Sequence, residues 1–297
     1  MNNFYYGAHI SIKNGIIAAI TEIIDYGGNI IQIFISNPMS VKYNFKYSET
    51  DYITIKQKLK DTNSKLVIHL PYVINLSKPT KKIEESWWIK MICDQLDVSH
   101  KMGSIGCVVH VGKYLDLTEL EGLENMFNAL KYVISYIKDN KLDTCIILET
   151  AAGQGTELIT TKNNSLKEFS DFYNRFSDDE KNHIKICVDT CHIFAAGFDI
   201  TNNNKVKTFF DEFHKLIGIK YLGLIHLNDS KTNCGSCVDR HENLGIGKIG
   251  IEGLRNFIRY ASYYKIPIIL ETPGDYEKEI KLITTVKNKV QQWINKS

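Results

Sequence analysis

Proline is scarce in this chain, with 5 in 297 residues, and no stretch rich in proline, glycine or serine divides it. Linkers between domains are usually built from such residues. One domain over residues 1–297 is therefore expected rather than two. Long hydrophobic runs are lacking as well: no 18 consecutive residues are apolar, which excludes a membrane-spanning helix. Across Met1 to Gly15 no basic flank is followed by an apolar stretch, so no signal peptide is read. The seven cysteines keep no regular spacing and read as reduced thiols of a cytosol-like compartment. The expectation is an intracellular protein, cytoplasmic or wherever its target resides, not secreted and without a membrane partner. Net charge is small, because 36 basic residues face 34 acidic ones and leave a formal +2. That balance does not demonstrate a nucleic-acid partner, but it permits one where basic side chains are grouped locally.

Two short motifs carry little. Cys234-Gly235-Ser236-Cys237 has the spacing of a thioredoxin-like pair or of half a structural zinc site. A second CxxC is missing, so it reads as two loop thiols, with a disulfide left open under oxidising conditions. Gly245-Ile246-Gly247 is too short to cradle a nucleotide phosphate and reads as backbone passing close to a rim.

What the chain does have is repetition. With 43% hydrophobic residues it can bury a large core. Eight β-rich runs recur, at 5–9, 30–34, 66–69, 106–110, 144–149, 184–189, 221–226 and 266–271. Between them, segments 49–59, 83–96, 120–137, 166–175, 205–216, 251–263 and 279–293 carry apolar residues three and four apart, the mark of amphipathic helices. Near-continuous apolar strands such as Cys145-Ile146-Ile147-Leu148 suit a parallel sheet covered on both faces. Eight strand-helix units predict an α/β fold, a single closed (β/α)8 TIM barrel.

Such a barrel gathers its functional groups at the carboxyl ends of the strands. The runs end in His9, Phe34, His69, His110, Glu149, Asp189, His226 and Glu271, so seven of eight close on a residue able to bind a metal or move a proton. Cys187-Val188-Asp189-Thr190-Cys191-His192 adds His192, and Asp239-Arg240-His241 follows strand seven. Singly, each has an ordinary explanation. His69 and His110 would pass for half-buried imidazoles, and Asp239 with His241 for a solvated pair. Glu149 and Glu271 are stronger, because a carboxylate at the end of an apolar strand is costly unless paired or metal-bound. Together the candidates are His69, His110, Glu149, Asp189, His192, His226, Asp239, His241 and Glu271. Nine side chains exceed the three or four that one tetrahedral ion takes. Two or three ions with a bridging carboxylate would use them, an arrangement suited to phosphoester hydrolysis.

At this point the residues match a family. Leu148-Glu149-Thr150-Ala151-Ala152-Gly153-Gln154-Gly155, Val188-Asp189-Thr190-Cys191-His192-Ile193-Phe194-Ala195-Ala196-Gly197, His226-Leu227-Asn228-Asp229-Ser230-Lys231 and Asp239-Arg240-His241-Glu242-Asn243-Leu244-Gly245-Ile246-Gly247 occur in order. Over nearly its whole length the chain resembles the endonuclease IV family of apurinic/apyrimidinic endonucleases. The resemblance implies three zinc ions, with one site open to another divalent metal such as manganese. His69, His110 and Glu149 would hold the first ion. Glu149, Asp189, His226 and Glu271 would hold the second, and His192, Asp239 and His241 the third. Glu149 and Glu271 are the implied catalytic carboxylates, and His9 is implied to lie near the cluster without being a ligand. The implied reaction cleaves the phosphodiester 5′ to an abasic site, with clearing of blocked 3′ ends and incision beside some oxidised bases. Damaged double-stranded DNA is the implied partner of a monomer.

For DNA contact the resemblance points to Tyr72, Asn37, Lys231 and Arg240. It departs at one place. Where the family commonly has Asn-Pro-Arg, a polar residue and an aromatic, this chain reads Asn37-Pro38-Met39-Ser40-Val41. Met39 could still wedge between bases, since unstacking does not require charge. Two other readings stay open. A metal-dependent sugar isomerase would need only Glu149, Asp189, His226 and Glu271. A non-catalytic lesion binder would have lost a ligand position, and none is lost.

Overall fold

The computed structural model describes residues 4–274 and 276–294, so residues 1–3, 275 and 295–297 of the expected domain, with the start of the segment read for a signal peptide, lie outside it. In chain order the elements are β1 (Tyr6–His9), α1 (Ile16–Asp25), β2 (Ile30–Ile33), α2 (Glu49–Asp61), β3 (Lys65–His69), α3 (Trp87–Met102) and β4 (Cys107–His110). They continue with α4 (Glu119–Asp139), β5 (Ile146–Glu149), α5 (Lys167–Tyr173), β6 (Ile184–Asp189), α6 (Thr190–Ala196), α7 (Asn203–Leu216) and β7 (Leu222–His226). A short ladder of β8 (Asp229–Ser230) and β9 (His241–Glu242) precedes α8 (Gly250–Tyr264), β10 (Ile268–Leu270) and α9 (Tyr276–Ile294). Strands β1 to β7 and β10 pair in parallel and close into a barrel, β10 returning to β1. The predicted (β/α)8 architecture is the observed one. No helix among the described residues is long and apolar enough to cross a membrane.

Side chains alternate between the two faces of each strand, so residues two apart share a face. Ile30, Val67, Val108, Ile147, Cys187, Leu224 and Ile269 fill the barrel interior as one closed apolar cluster. One step of two further along the same strands stand Gln32, His69, His110, Glu149, Asp189, His226 and Glu271, with His9 two beyond Gly7 on β1. Those polar residues therefore form the next layer up, resting on an apolar floor. The much larger cluster between strands and helices, from Ile20 and Ile31 to Phe257 and Ile283, cements the outer ring.

Local chemistry explains several helix starts. Ser48 with Asp51 and Thr118 with Glu121 form reciprocal capping boxes at α2 and α4, and the Asn202 side chain caps α7. The helix expected over 83–96 differs in detail. A single 3-10 turn, Ile83–Glu85, is interrupted by extended Ser86, and α3 then runs on to Met102, where left-handed Gly103 ends it. Two helices went unread in the sequence. Helix α1 starts after Gly15 without a capping side chain. Helix α6 is buried on every side, so it has no polar face to reveal its period.

Candidate metal centre

The polar layer converges on Glu149, which is buried on β5 with its carboxylate at the centre. Its Oε2 lies 3.4 Å from His69 Nε2 and 3.2 Å from His110 Nε2, and its Oε1 lies 2.9 Å from His226 Nδ1. His226 Nδ1 is also 3.2 Å from Glu271 Oε2 and 4.0 Å from Asp189 Oδ2. Towards the rim, Asp239 reaches His192 Nε2 at 3.2 Å and His241 Nε2 at 3.1 Å, while Asp189 Oδ2 lies 3.5 Å from His241 Nε2. Among the described residues five groups have ligand atoms within 4.8 Å of one another, and three of them use only histidine and carboxylate: His69, His110 and Glu149; Glu149, Asp189, His226 and Glu271; and His192, Asp239 and His241. All nine side chains singled out in the sequence are thus brought to one place, in the three sets the resemblance implied.

Backbone carbonyls and one amide side chain aim the imidazoles. His69 Nδ1 donates to Leu70 O at 2.7 Å, His192 Nδ1 to Thr150 O at 2.7 Å, and His241 Nδ1 to Glu271 O at 3.1 Å. Each bond fixes a proton on Nδ1 and turns Nε2 toward the carboxylates, where it would be free to bind a cation once deprotonated. His226 is the reverse case, because its Nε2 donates to Gln32 Oε1 at 2.8 Å and its Nδ1 is the nitrogen turned to Glu149 Oε1, at 2.9 Å. Gln32 Nε2 in turn donates to Glu271 Oε1 at 2.6 Å and to His9 Nδ1 at 3.0 Å. The contribution of strand two is therefore Gln32 and not the terminal Phe34. Its signal was present in the sequence as one amide among four-residue apolar β2, in the same two-residue register as the other site residues.

Asp189 serves two masters. Its Oδ1 accepts from His192 N at 2.9 Å, capping α6, and its Oδ2 accepts from Asn228 Nδ2 at 2.7 Å. Asn228 Oδ1 accepts from Glu271 N at 2.9 Å, tying strands β6, β7 and β10 together behind the cluster. Asp229, fully buried, accepts from the backbone N–H of Gly245 (2.9 Å), Gly247 (3.0 Å), Ile249 (2.9 Å) and Gly250 (3.4 Å). This carboxylate locks the 245–250 loop and sits at the start of α8, where anions are favoured. A Cβ on Gly247 would come within 2.4 Å of Ser230 O and 2.6 Å of Asp229 Oδ1, so the glycine permits the approach. Asp229→Asn replaces an acceptor by a donor facing those N–H groups. We expect it to lower stability by about 3 kcal/mol, the scale of leaving buried polar groups unpaired, measured as a fall in Tm.

The electrostatics follow from burying acids and bases together. Burial alone would raise Glu149, yet the surrounding His110, His226 and His69 hold its carboxyl well below the usual range. Glu271 is held low against burial in the same way, chiefly by His226. Burial pushes Asp189 up. His192 and His226 stand well above their ordinary values, because nearby carboxylates, and for His226 also Cys187, outweigh burial; His241 rises to about 9 for the same balance, led by Asp189. His110, which burial dominates, falls to about 4. Cys187 and Cys191 also come within reach of the cluster, but burial pushes both thiols up to about 12, so they offer no thiolate.

The residues fit metal ions on their own evidence. Glu149 Oε2 and His241 Nε2 are buried and have no hydrogen-bond partner. With Nδ1 of His69 engaged by Leu70, its Nε2 faces Glu149 Oε2 at 3.4 Å, so that a nitrogen and an oxygen donor are turned toward one point where a cation would fit. Oxygen and imidazole nitrogen are the donors a hydrolytic zinc site uses.

A cleft of about 600 Å³ opens onto the cluster, lined by Tyr72, His110, Leu115, Glu149, Asp239 and Arg240 among others. Tyr72 is 51% exposed, with its ring centroid 5.5 Å from those of His69 and His110. Met39 is 72% exposed on the loop after β2. Asn37 Oδ1 accepts from Met39 N at 2.9 Å, so its carbonyl shapes that turn. Arg240 Nη1 donates to Asp239 O at 2.6 Å, and Lys231 N to Arg240 O at 2.9 Å. Cys234 and Cys237 are free thiols on the same loop.

Comparison with known proteins agrees with this geometry. A family profile described as "Xylose isomerase-like TIM barrel" matches residues 20–293. A protein described as "Putative endonuclease 4", from Acanthamoeba polyphaga mimivirus, is 34% identical over 300 residues, covering 97% of this chain and 93% of its own. A "Probable endonuclease 4" from Thermosipho melanesiensis is 34% identical over 274 residues, covering 91% of this chain and 93% of its own. Among solved structures, endonuclease IV from Thermus thermophilus superposes with a TM-score of 0.74 at 25% identity, covering 99% of this chain and 100% of that one.

Proposed function

Because the chain belongs to the endonuclease IV family of apurinic/apyrimidinic endonucleases, we propose that it is a zinc-dependent DNA-repair hydrolase of one catalytic domain. It cleaves the phosphodiester 5′ to an abasic site in duplex DNA, leaving a 3′-hydroxyl and a 5′-deoxyribose phosphate. Clearing of blocked 3′ ends and incision beside oxidised bases belong to the same reading. The observation that carries it is the convergence of nine histidine and carboxylate side chains in three groups around Glu149 and Asp189.

In this reading His69, His110 and Glu149 hold one zinc ion. Glu149, Asp189, His226 and Glu271 hold a second, and His192, Asp239 and His241 a third. Bound zinc supplies Lewis acidity, which makes a nucleophile of water at neutral pH and neutralises charge on the phosphoryl oxygens. The protein supplies position. Glu149 offers one oxygen to each of two groups, and Glu271 is steadied by Gln32, so the two carboxylates stay fixed while the phosphate charge changes. The carbonyls of Leu70, Thr150 and Glu271 keep three imidazoles in the tautomer that faces the cleft. Tyr72 is the wedge beside the lesion, Met39 a second apolar contact, and Arg240, Lys231 and Asn37 are the polar contacts to the DNA backbone.

A sugar isomerase would use only Glu149, Asp189, His226 and Glu271, leaving His69, His110, His192, Asp239 and His241 idle. One assay separates the readings. Purified protein is incubated with duplexes carrying a tetrahydrofuran abasic analogue, a 3′-phosphate block, or no damage. We expect incision 5′ to the analogue, release of the 3′-phosphate, and an intact control. An uncut abasic duplex from zinc-loaded protein would refute the proposal.

A further inference from the structure

Leu115 stands on the cleft wall, on the loop between β4 and α4, and two features of it are unfavourable for the protein alone. Its side chain is 61% exposed although apolar, and its backbone φ is +51°, the left-handed region that glycine or asparagine normally occupies. Leu117 N donates to Tyr114 O at 2.9 Å, closing a tight turn with Leu115 at its first central position. Positive φ at that position is the habit of primed turns, which favour glycine.

The surroundings hold the leucine there. Leu115 N donates to Thr156 Oγ1 at 3.0 Å, and Tyr114 N to Thr156 O at 3.0 Å. Lys113 pairs with Glu157 both through a backbone bridge and through a 3.1 Å ion pair, and Leu158 N donates to Gly112 O at 3.0 Å. A Cβ on Gly122 at the start of α4 would lie 2.6 Å from Tyr114 Cβ, so the helix presses on the turn from the other side. The turn is thus braced between two elements, and of the two side chains it sets on the cleft wall, Lys113 is held by Glu157 while Leu115 is apolar. Backbone strain retained by such bracing gathers at functional sites.

We propose that Leu115 is a DNA-contacting residue that lies against the face of a base at the lesion, in the cleft that Arg240 also lines. Resting on the endonuclease reading, this assigns the cleft wall beyond Tyr72 to the bases and not to the phosphates. An isobutyl group gains nothing from a phosphate, whereas bases left without a stacking partner beside an abasic gap expose flat apolar faces. Leu115 lines the same cavity as His110, Glu149 and Asp239, so a duplex seated on the cluster meets it. Lys113, beside it, is already engaged by Glu157, which leaves the apolar contact as the contribution of this turn.

The test compares zinc-loaded wild type with Leu115→Gly, Leu115→Ala and Leu115→Met on a duplex carrying tetrahydrofuran. A 2-aminopurine in the opposite strand, facing the lesion, reports unstacking. Glycine accepts the positive φ, so L115G should melt no lower than L115A. The expected result is a KM raised roughly tenfold in the glycine and alanine variants, the size of one lost base contact, with kcat and bound zinc unchanged. The 2-aminopurine brightening of the wild type should shrink in both and return in L115M. A KM within twofold of wild type in L115G, or a loss in which kcat or zinc content falls with it, would overturn the assignment. If wild type fails to incise, the endonuclease reading falls and takes this one with it. Incision by wild type with an unaffected L115G removes Leu115 alone.

Discussion

Glu149→Gln is expected to abolish incision and to lower the zinc content. The carboxylate is buried and shared, with Oε2 facing His69 and His110 and Oε1 facing His226. An amide of the same shape removes one negative charge and sets an NH₂ group against imidazole nitrogens. Leaving a buried charge cluster short of one partner costs about 3–5 kcal/mol, which corresponds to roughly 10² to 10⁴ in affinity or rate. Two measurements are needed, metal content by elemental analysis and single-turnover incision of a tetrahydrofuran duplex. A variant with wild-type turnover and a full complement of zinc would show that Glu149 is not the shared ligand. Replacing Asp239 should be milder, because it is 29% exposed at the rim and belongs to one group only.

The second large effect is a divergence of metal-loaded and chelator-stripped protein with pH. In the stripped protein the buried carboxylates have only protons to neutralise them, which is why His192, His226 and His241 stand above their ordinary values. A histidine raised on folding stabilises the fold fully below its unfolded value of about 6.5, and that stability is lost as pH rises through its folded value, about 9 for His241. The stripped protein should therefore melt at progressively lower temperature from about pH 6.5 to 9. In the zinc-loaded protein the cations replace those protons, and binding strengthens as pH rises because ligands must be deprotonated. Each ion held at a thousandfold excess over its Kd contributes about 4 kcal/mol. The difference in Tm between the two forms should widen across that window, and reloading in weak buffer should release protons. A constant difference in Tm from pH 6.5 to 9 would contradict this account.

How much of this was legible beforehand depends on what kind of group does the work. Strands and their polar ends were readable because apolar runs closing on histidine or acid are rare, and the nine cluster side chains all come from such ends or the segments after them. Gln32 escaped because attention to strand ends falls on Phe34, two residues on, although the register that puts His69 above Val67 also puts Gln32 above Ile30. The carbonyls of Leu70, Thr150 and Glu271 could not be read at all, since every residue has one and only the fold decides which faces an imidazole. Asp229 looked like part of a motif beside His226, and its bonds to four backbone amides of the 245–250 loop needed the loop conformation to appear. The turn at Leu115 was hidden for the same reason, as nothing in a leucine announces a positive φ.

The closed layer of Ile30, Val67, Val108, Ile147, Cys187, Leu224 and Ile269 has a consequence for traffic. It makes the cluster a blind well, reached from its mouth and sealed at the bottom. Ions, chelators and solvent that enter by this cleft pass His110, Asp239 and His241, which are 32%, 29% and 19% exposed, before Asp189 and His226, which are inaccessible. With three ions bound as proposed, exchange should then proceed in order of depth, the ion held by Glu149, Asp189, His226 and Glu271 turning over last. A brief exposure to chelator would produce a partly emptied enzyme of defined composition instead of a random mixture.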